Sequence, residues 1–297
     1  MNTPTTAVIG AGVMGIGVAQ CLAQSGHQTV LIDVDEAILD KARNAIKQNL
    51  RLGALLGAGG SRSPVSEVLG RIVFSTDYQL VRDTSFVIEN TSERWKVKEE
   101  VYRKLDALCP ADCILAANTS QMSIARLAAI TNRPANVIGM HFMNPVPMKK
   151  TVEVIVGEAT GAQTLERSQQ LLSSLGKDWI VVKDSPGFVS NRVLMLTINE
   201  AIQLAQEDVA SVEQIDKIFR DCFGHKMGPL ETADLIGLDT ILLSLEGLHE
   251  AFANAKYTPS PLLQQMVAAG LLGRKSGRGF YNYNANGAGA VGSKTHD

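Results

Sequence analysis

A glycine pattern near the start of the chain restricts the fold more than any other feature of the sequence. Gly10, Gly12 and Gly15 form G-x-G-x-x-G in "GAGVMG", between a short apolar run typical of a buried strand and a helix-like stretch that ends at about Gln24. Such glycines permit a tight turn and a close approach of the backbone to a pyrophosphate, which the helix N-terminus stabilises. The pattern predicts a dinucleotide-binding sheet domain.

An acidic residue at the end of the next strand indicates which dinucleotide binds. Asp33 closes the strand-like run "GHQTVLID", 18 residues beyond Gly15. A carboxylate there accepts hydrogen bonds from ribose hydroxyls and repels a 2′-phosphate, and "DVDE" offers no arginine to receive one. We therefore predict NAD rather than NADP as the cofactor. The glycine pattern by itself leaves FAD open, as well as glycines that serve only helix–strand packing.

Strand-like and helix-like runs alternate through the first part of the chain. Further strands are predicted at "RIVFST", "FVIEN", "CILAANTS", "NVIGMHF", "TVEVIVG" and "WIVVKD". The stretch from Glu36 to Gly70 is helical in pattern, with a break at "LLGAGGSRSP", and resembles a helical hairpin inserted into the sheet domain. Alternation of this kind predicts an α/β fold with a doubly wound, mostly parallel sheet.

The character of the sequence changes after Asp184. Pro186 and Gly187 in "SPGFVSNR" indicate a hinge and a helix start, and from Asn191 onward only helical patterns occur before the "GFYNY" tail. We predict two domains, residues 1–185 and residues 186–297, the second of them all-helical. The almost continuous apolar helix between residues 193 and 204 is typical of a helix buried between partners.

Polar residues collect where the predicted strands end. In doubly wound sheets, ligands bind outside the carboxyl ends of the strands. The polar residues at these positions are Asp33, Glu93, Asn118, Thr119, Ser120, His141 and Asn144. Because chance would scatter them over both edges of the sheet, this bias predicts one cleft.

One histidine in this group has a candidate partner. His141 ends the run "VIGMH", and Glu153 lies 12 residues later in "TVEVIVG". A strand–turn–strand path would return the carboxylate to the imidazole, fix its tautomer and raise its basicity. A lone histidine is more often structural, but the partner, the cofactor and Ser120 nearby favour a general base. The other histidines are interpreted as surface or structural residues: His27, His225, His249 and His296.

Composition argues against several other classes of protein. The formal net charge is −2 and no long basic run occurs, which argues against a nucleic-acid-binding surface. Glycines interrupt the apolar run Ala7–Ala23, which argues against a membrane span. Four cysteines are too few for a disulfide scaffold, and Cys109-x3-Cys113 lacks the second pair of a zinc site, so no metal is predicted. Reduced thiols indicate the cytoplasm.

Several motifs together resemble one enzyme family over nearly the whole chain. They are "GAGVMG", "NTSQMSI", "GMHFMNPVP", "VEVI", "SPGFVSNR", "MGPLETADLIGLD" and "GRKSGRGFY". The sequence resembles the L-3-hydroxyacyl-CoA dehydrogenases, including the short-chain 3-hydroxybutyryl-CoA enzymes. The resemblance implies a Rossmann-type NAD-binding domain and a helical substrate domain that pairs two subunits into a homodimer. It also implies NAD-dependent interconversion of an L-3-hydroxyacyl thioester and its 3-oxoacyl thioester.

The resemblance also assigns roles to individual residues. His141 is similar to the family's catalytic base and Glu153 to its acidic partner, while Ser120 and Asn191 resemble the residues that hold the reacting oxygen. The positions that match the family's NAD-binding residues are Glu93, Lys98, Asn144 and Lys275. Asn118 and Ser120, at a strand end beside them, are further candidates for contact with the cofactor.

Other classes of protein share parts of this pattern. The 6-phosphogluconate and 3-hydroxyisobutyrate dehydrogenases also begin with a glycine fingerprint and end with helices, but they use a catalytic lysine. A sugar-acid dehydrogenase related to lens lambda-crystallin has a different motif after the histidine. A non-enzymatic NAD sensor or structural protein would not need the base, its partner and the oxygen-binding set. The pair His141–Glu153 favours the hydroxyacyl enzymes.

The carrier of the acyl group is less constrained by the sequence. In the coenzyme A enzymes that the chain resembles, a serine and a lysine after the second strand contact the coenzyme A nucleotide. Aligned from Asp33 without gaps, these positions fall on Asn49 and Leu56, and a leucine offers a phosphate neither charge nor donor.

Two interpretations of this difference stay open. The helix packs differently and other residues bind coenzyme A, or the substrate is carried by an acyl carrier protein. An example of the second is the glyceryl thioester of polyketide extender-unit biosynthesis. Leu52, Leu55 and Leu56 would then face a helix of the carrier.

Overall fold

The computed structural model describes residues 6–55, 63–284 and 289–290. The chain divides into two compact units, Met1–Phe188 and Val189–Asp297. None of the helices among the described residues combines the length and the apolar character that a membrane-spanning helix needs.

The first unit is built on an eight-stranded sheet in the order β3-β2-β1-β4-β5-β6-β7-β8. Neighbouring strands are parallel except β6 and β7, which are antiparallel. The strands are β1 Thr6–Ile9, β2 Thr29–Ile32, β3 Ile72–Ser75, β4 Phe86–Glu89, β5 Ile114–Ala117, β6 Val137–His141, β7 Thr151–Val156 and β8 Asp178–Lys183. Every strand-like run of the sequence overlaps one of them, and the predicted doubly wound, mostly parallel sheet is confirmed.

Helices cover both faces of this sheet. They are α1 Val13–Gln24, α2 Glu36–Leu55, α3 Val65–Gly70, α4 Trp95–Leu108, α5 Ile124–Ala129 and α6 Ala162–Ser174. Apolar side chains of α1, α2, α3 and α6 share one hydrophobic cluster, and those of α4 and α5 belong to a second. The strands read as continuous apolar runs because most of them are buried on both faces.

The stretch predicted as an inserted helical hairpin is the crossover that joins the parallel strands β2 and β3. Its first helix, α2, is 20 residues long and buries Leu39, Ala42 and Ile46 against the sheet. Its second helix, α3, has only six residues. Residues 56–62, which include the proposed carrier contact Leu56, lie outside the described residues.

The second unit consists of helices with short strands in its C-terminal segment. The helices are α7 Ser190–Gln206, α8 Val212–Phe223, α9 Pro229–Ile236, α10 Leu238–Phe252 and α11 Pro261–Ala268. The strands β9 Tyr281–Asn282 and β10 Gly289–Ala290 pair antiparallel. Helix α7 buries Met195, Ile198 and Ile202 in the core of this unit. Val193 and Leu194 of the same helix are 61% and 37% exposed in the single chain.

Candidate active site

The glycine turn has the shape that a dinucleotide pyrophosphate requires. Gly10 has φ +93°, and a Cβ there would lie 2.8 Å from the carbonyl oxygen of Asn90. A Cβ on Gly15 would overlap the carbonyl oxygen of Gly10, whereas a Cβ on Gly12 would meet nothing within 4 Å. The fold therefore requires glycine at positions 10 and 15. Gly12 leaves open space beside the N-terminus of α1, so the turn fits NAD.

Asp33 follows β2 and contacts this turn directly. Its Oδ2 atom accepts a hydrogen bond from the N–H of Ala11 at 2.6 Å, and its Oδ1 atom accepts one from the N–H of Val34 at 2.7 Å. The half-buried carboxylate is thus held at the carboxyl edge of the sheet, beside the glycine turn. This is the place where the sequence predicts a ribose hydroxyl to bind.

His141 and Glu153 are paired across the two antiparallel strands. They are register partners of β6 and β7, so their side chains point to the same face of the sheet. His141 Nδ1 lies 3.0 Å from Glu153 Oε2, and the two side chains are 14% and 8% exposed. A neutral imidazole that donates Nδ1–H to this carboxylate carries its lone pair on Nε2. The ring of Phe188 lies 6.0 Å from that of His141.

Glu93 and Ser120, predicted separately, are in direct contact. Glu93 Oε1 accepts hydrogen bonds from the N–H of Ser120 at 2.7 Å and from its hydroxyl at 3.3 Å. Glu93 Oε2 accepts one from the hydroxyl of Thr119 at 2.9 Å. The carboxylate therefore fixes the backbone that follows β5.

Lys98 is fully buried, and its partner was missed by the sequence analysis. Its Nζ atom lies 2.8 Å from Oε2 of Glu89, which is 1% exposed, and 4.0 Å from Oε2 of Glu93. The second oxygen of Glu89 accepts hydrogen bonds from the N–H and the hydroxyl of Thr91. The signal for Glu89 was present in the sequence, because it is the carboxylate that ends the buried strand "FVIE".

Asn118 ties three strand ends together. Its Nδ2 donates to Oδ1 of Asn90 at 2.6 Å, and its Oδ1 accepts from the N–H of Phe142 at 3.1 Å. These contacts join the carboxyl ends of β4, β5 and β6. Asn144 lies on the exposed connection between β6 and β7. The structure thus brings the first-unit candidates to one edge of the sheet, as the predicted single cleft requires.

The remaining two candidates belong to the second unit. Asn191 lies in the first turn of α7. Lys275 lies in the turn Arg274–Ser276 and forms an ion pair with Asp239 in the first turn of α10. Their contribution to the site of the first unit stays a prediction.

The described residues contain no group of three or more His, Cys, Asp or Glu side chains arranged to hold a metal ion. All four cysteines have free thiols. Burial raises the pKa of the Cys21 thiol, and the nearby Lys177 ammonium opposes this shift.

Comparisons with known proteins cover both units. Residues 5–185 match the family profile described as "3-hydroxyacyl-CoA dehydrogenase, NAD binding domain", and residues 187–283 match the one described as "3-hydroxyacyl-CoA dehydrogenase, C-terminal domain".

Individual relatives match over nearly their whole length. A probable 3-hydroxybutyryl-CoA dehydrogenase of Deinococcus radiodurans is 47% identical over 93% of this chain and 99% of the relative. A 3-hydroxybutyryl-CoA dehydrogenase of Clostridioides difficile is 42% identical over 94% and 99%. The crystal structure of (S)-3-hydroxybutyryl-CoA dehydrogenase from Ralstonia eutropha is similar with a TM-score of 0.89 at 40% identity, over 95% of this chain and 99% of that one.

Proposed function

The chain belongs to the 3-hydroxyacyl-CoA dehydrogenase family, and we propose that it interconverts an L-3-hydroxyacyl-CoA thioester and its 3-oxoacyl thioester. The predicted family resemblance and the predicted cofactor NAD are confirmed by these matches. The observation that carries the proposal is the contact of 3.0 Å between His141 and Glu153, at the same edge of the sheet as the glycine turn. Since relatives are named 3-hydroxybutyryl-CoA dehydrogenases, 3-hydroxybutyryl-CoA is the first substrate to test.

The proposed proton transfer uses the imidazole. His141 Nε2 removes the proton from the substrate hydroxyl, and the carboxylate of Glu153 on Nδ1 stabilises the imidazolium that forms. In the direction of reduction, the imidazolium returns the proton. NAD supplies the hydride acceptor when it is bound.

Other residues position the reacting atoms in this proposal. Ser120 and Asn191 hydrogen-bond to the substrate oxygen as negative charge develops on it. Glu93 places Ser120 through the two hydrogen bonds described above.

The cofactor contacts are proposed in two groups. Asn144 and Lys275 contact NAD directly. Lys98 and Asn118 shape the cofactor site, since Lys98 Nζ is held by Glu89 and the amide of Asn118 by Asn90 and the N–H of Phe142.

Coenzyme A is the proposed carrier because the names of the relatives specify it. The acyl-carrier-protein interpretation of polyketide extender-unit chemistry is kept as an outcome of the test, because Leu52 and Leu55 are 56% and 85% exposed at the end of α2. Asn49, on the same helix, donates a hydrogen bond to Gln20 at 3.3 Å. The apolar surface formed by Leu52 and Leu55 suits contact with a protein helix better than contact with a nucleotide phosphate.

The test compares initial rates of NADH formation from 3-hydroxybutyryl-CoA and from the same acyl group on an acyl carrier protein. Turnover of the coenzyme A thioester at micromolar concentration, reduced at least a hundredfold in His141→Ala, supports the proposal. A strong preference for the carrier-bound substrate means that the enzyme acts on acyl groups attached to an acyl carrier protein rather than to coenzyme A. Leu56→Lys should then improve coenzyme A binding modestly, by about 0.2–1 kcal/mol. Absence of turnover with either substrate overturns the proposal.

We also propose that the second unit pairs two chains into a cytoplasmic homodimer. Val193, Leu235 and Leu243 are all more than half exposed in the single chain, which is unfavourable for apolar side chains in water. The four free thiols agree with a reducing compartment. Sedimentation velocity of the wild type and of Leu243→Glu tests the dimer, and a monomeric wild type at micromolar concentration contradicts it.

A further inference from the structure

Lys177 is a buried cation that no step of the proposed reaction uses. It lies between α6 and β8 and is 5% exposed. Among the described residues, no carboxylate lies within 4.0 Å of its ammonium. Its Nζ atom instead donates to the carbonyl oxygens of Val146 at 2.8 Å and Lys149 at 2.7 Å. Burying an ammonium is unfavourable unless such hydrogen bonds replace its water.

Both carbonyl groups belong to the connection between His141 and β7. This connection contains the short helical turn Val146–Met148, in which the N–H groups of Met148 and Lys149 donate to the carbonyl of Pro145. The Lys177 ammonium therefore binds the turn at its first residue and just after its last. A charged donor that bridges two carbonyls fixes their separation as well as their orientation.

The same turn packs directly on the helix that follows the glycine fingerprint. Val146 is 2% exposed, and a Cβ on Gly17 of α1 would lie 2.9 Å from its Cβ atom. Asn144, two residues before Val146, is exposed and is proposed to contact NAD. Lys177 thus holds a turn that has α1 on one side and a proposed cofactor contact beside it.

We propose that Lys177 is a positioning residue for the NAD site, which acts by holding the 145–149 turn against α1 and so fixing the place of Asn144. This inference rests on the proposed role of Asn144. His141 and Glu153 are held by the β6–β7 ladder at either end of the connection. Loss of the Lys177 ammonium should consequently have a larger effect on NAD affinity than on the rate of proton transfer.

The structure also offers a way to restore the missing ammonium. A surface cleft of about 450 Å³ reaches Lys177 and is lined in part by Cys21, Met148, Lys150 and Leu175. Truncation of Lys177 opens space beside this cleft, into which a small alkylammonium ion fits. Propylammonium supplies three N–H donors, whereas tetramethylammonium has the same charge and no donor.

The experiment compares Lys177→Ala with Lys150→Ala, a matched control that removes an exposed lysine from the same cleft. NADH affinity is measured by fluorescence titration, well below the melting temperature of each variant, and kcat and KM for NAD are measured separately. We expect Lys177→Ala to weaken NADH binding about tenfold, equivalent to about 1.4 kcal/mol, with kcat changed less than threefold. Lys150→Ala should bind NADH as the wild type does.

Rescue decides between positioning and a general loss of structure. Propylammonium should recover most of the NADH affinity of Lys177→Ala, and tetramethylammonium at equal ionic strength should not. Normal NADH affinity in a folded but less stable Lys177→Ala overturns the proposal, as does equal rescue by the two ions. If Lys177→Ala does not fold, Lys177→Gln is measured in its place, with normal NADH affinity again overturning the proposal.

The titrations need no acyl substrate, so their outcome is separate from that of the proposed reaction. An enzyme inactive on every hydroxyacyl thioester overturns the proposed function and leaves the NADH titrations readable. Asn144→Ala should weaken NADH binding as Lys177→Ala does. Normal NADH affinity in Asn144→Ala overturns the part of the inference that runs through Asn144.

Discussion

The buried pair Glu89–Lys98 gives a prediction that the structure makes quantitative. Lys98 is 0% and Glu89 1% exposed, and their charged atoms are 2.8 Å apart. Lys98→Met leaves the Glu89 carboxylate buried and, among the described residues, with the N–H and the hydroxyl of Thr91 as its remaining donors. Removing one partner of a buried ion pair costs about 3–5 kcal/mol of unfolding free energy. The loss of unfolding free energy in Glu89→Gln should lie at the low end of this range, about 3 kcal/mol. The Glu93 carboxylate, 4.0 Å from the Lys98 ammonium, still stabilises the remaining charge.

The double variant Glu89→Gln/Lys98→Met measures the interaction free energy between the two side chains. It removes both charges, and the glutamine can still accept hydrogen bonds from Thr91. Its loss of stability should therefore be smaller than the sum of the single losses, by about 2 kcal/mol or more, within the range for residues in contact. Lys96→Met, an exposed lysine of the same helix, should stay within about 0.5 kcal/mol of the wild type.

The assay is urea unfolding followed by tryptophan fluorescence. Both tryptophans of the chain, Trp95 and Trp179, lie in the first unit. The signal therefore reports on the unit that contains the pair, even where the second unit unfolds separately. A loss below 1 kcal/mol in Lys98→Met, or strictly additive single losses, would refute the reasoning.

Further predictions concern four single residues. His141→Ala should lower kcat by roughly 10²- to 10⁴-fold with little change in NADH affinity, and Glu153→Gln should slow turnover without unfolding the protein. Steady-state rates and circular dichroism check both variants. Near-normal turnover in either variant removes the substituted residue from the mechanism. Asp33→Ala should weaken NADH binding in fluorescence titration, and a wild type that prefers NADPH would contradict the ribose assignment. Despite the opposing effect of burial, hydrogen bonds from Asn132 and Arg133 hold the pKa of Asp106 below its ordinary 3.8. Because a lowered folded-state pKa adds stability above the unfolded-state pKa, Asp106→Asn should destabilise at pH 7 by about 1.5–3 kcal/mol. In urea unfolding that difference should shrink only below about pH 3.8, and a difference that persists unchanged at pH 3 contradicts the assignment.

The strands and the glycine turn were predictable because their signals are local. A strand buried on both faces must be an apolar run, and the backbone of Gly10 and Gly15 admits no side chain. The path from His141 to Glu153 was also predictable, since two strand-like runs flank a short turn containing two prolines. Each of these signals lies within about a dozen residues of sequence.

The partners of Lys177 and Asn118 were not predictable, because they are distant in sequence. Lys177 follows "SSLG" and reads as a solvated loop residue, yet its carbonyl partners are 28 and 31 residues away. The sequence marks Asn118 as a candidate cofactor ligand, whereas the structure shows its amide bound to Asn90 and to the N–H of Phe142. Such side chains are expected at the surface unless the fold supplies partners, and the local pattern does not show whether it does.

The antiparallel pairing of β6 and β7 divides the site into two parts. The strand register fixes the pair His141–Glu153, whereas the loop that connects the two strands can vary. His141 faces Glu153 as a ladder partner, and a slip of one residue would put Val152 or Val154 opposite the imidazole and turn the carboxylate to the other face. The connecting loop can change length or sequence without moving this pair, as long as the ladder keeps its register. Exchanging this loop between relatives should therefore change the affinity for NAD and leave the proton-transfer pair in place. Cofactor affinity and proton transfer can consequently be engineered independently.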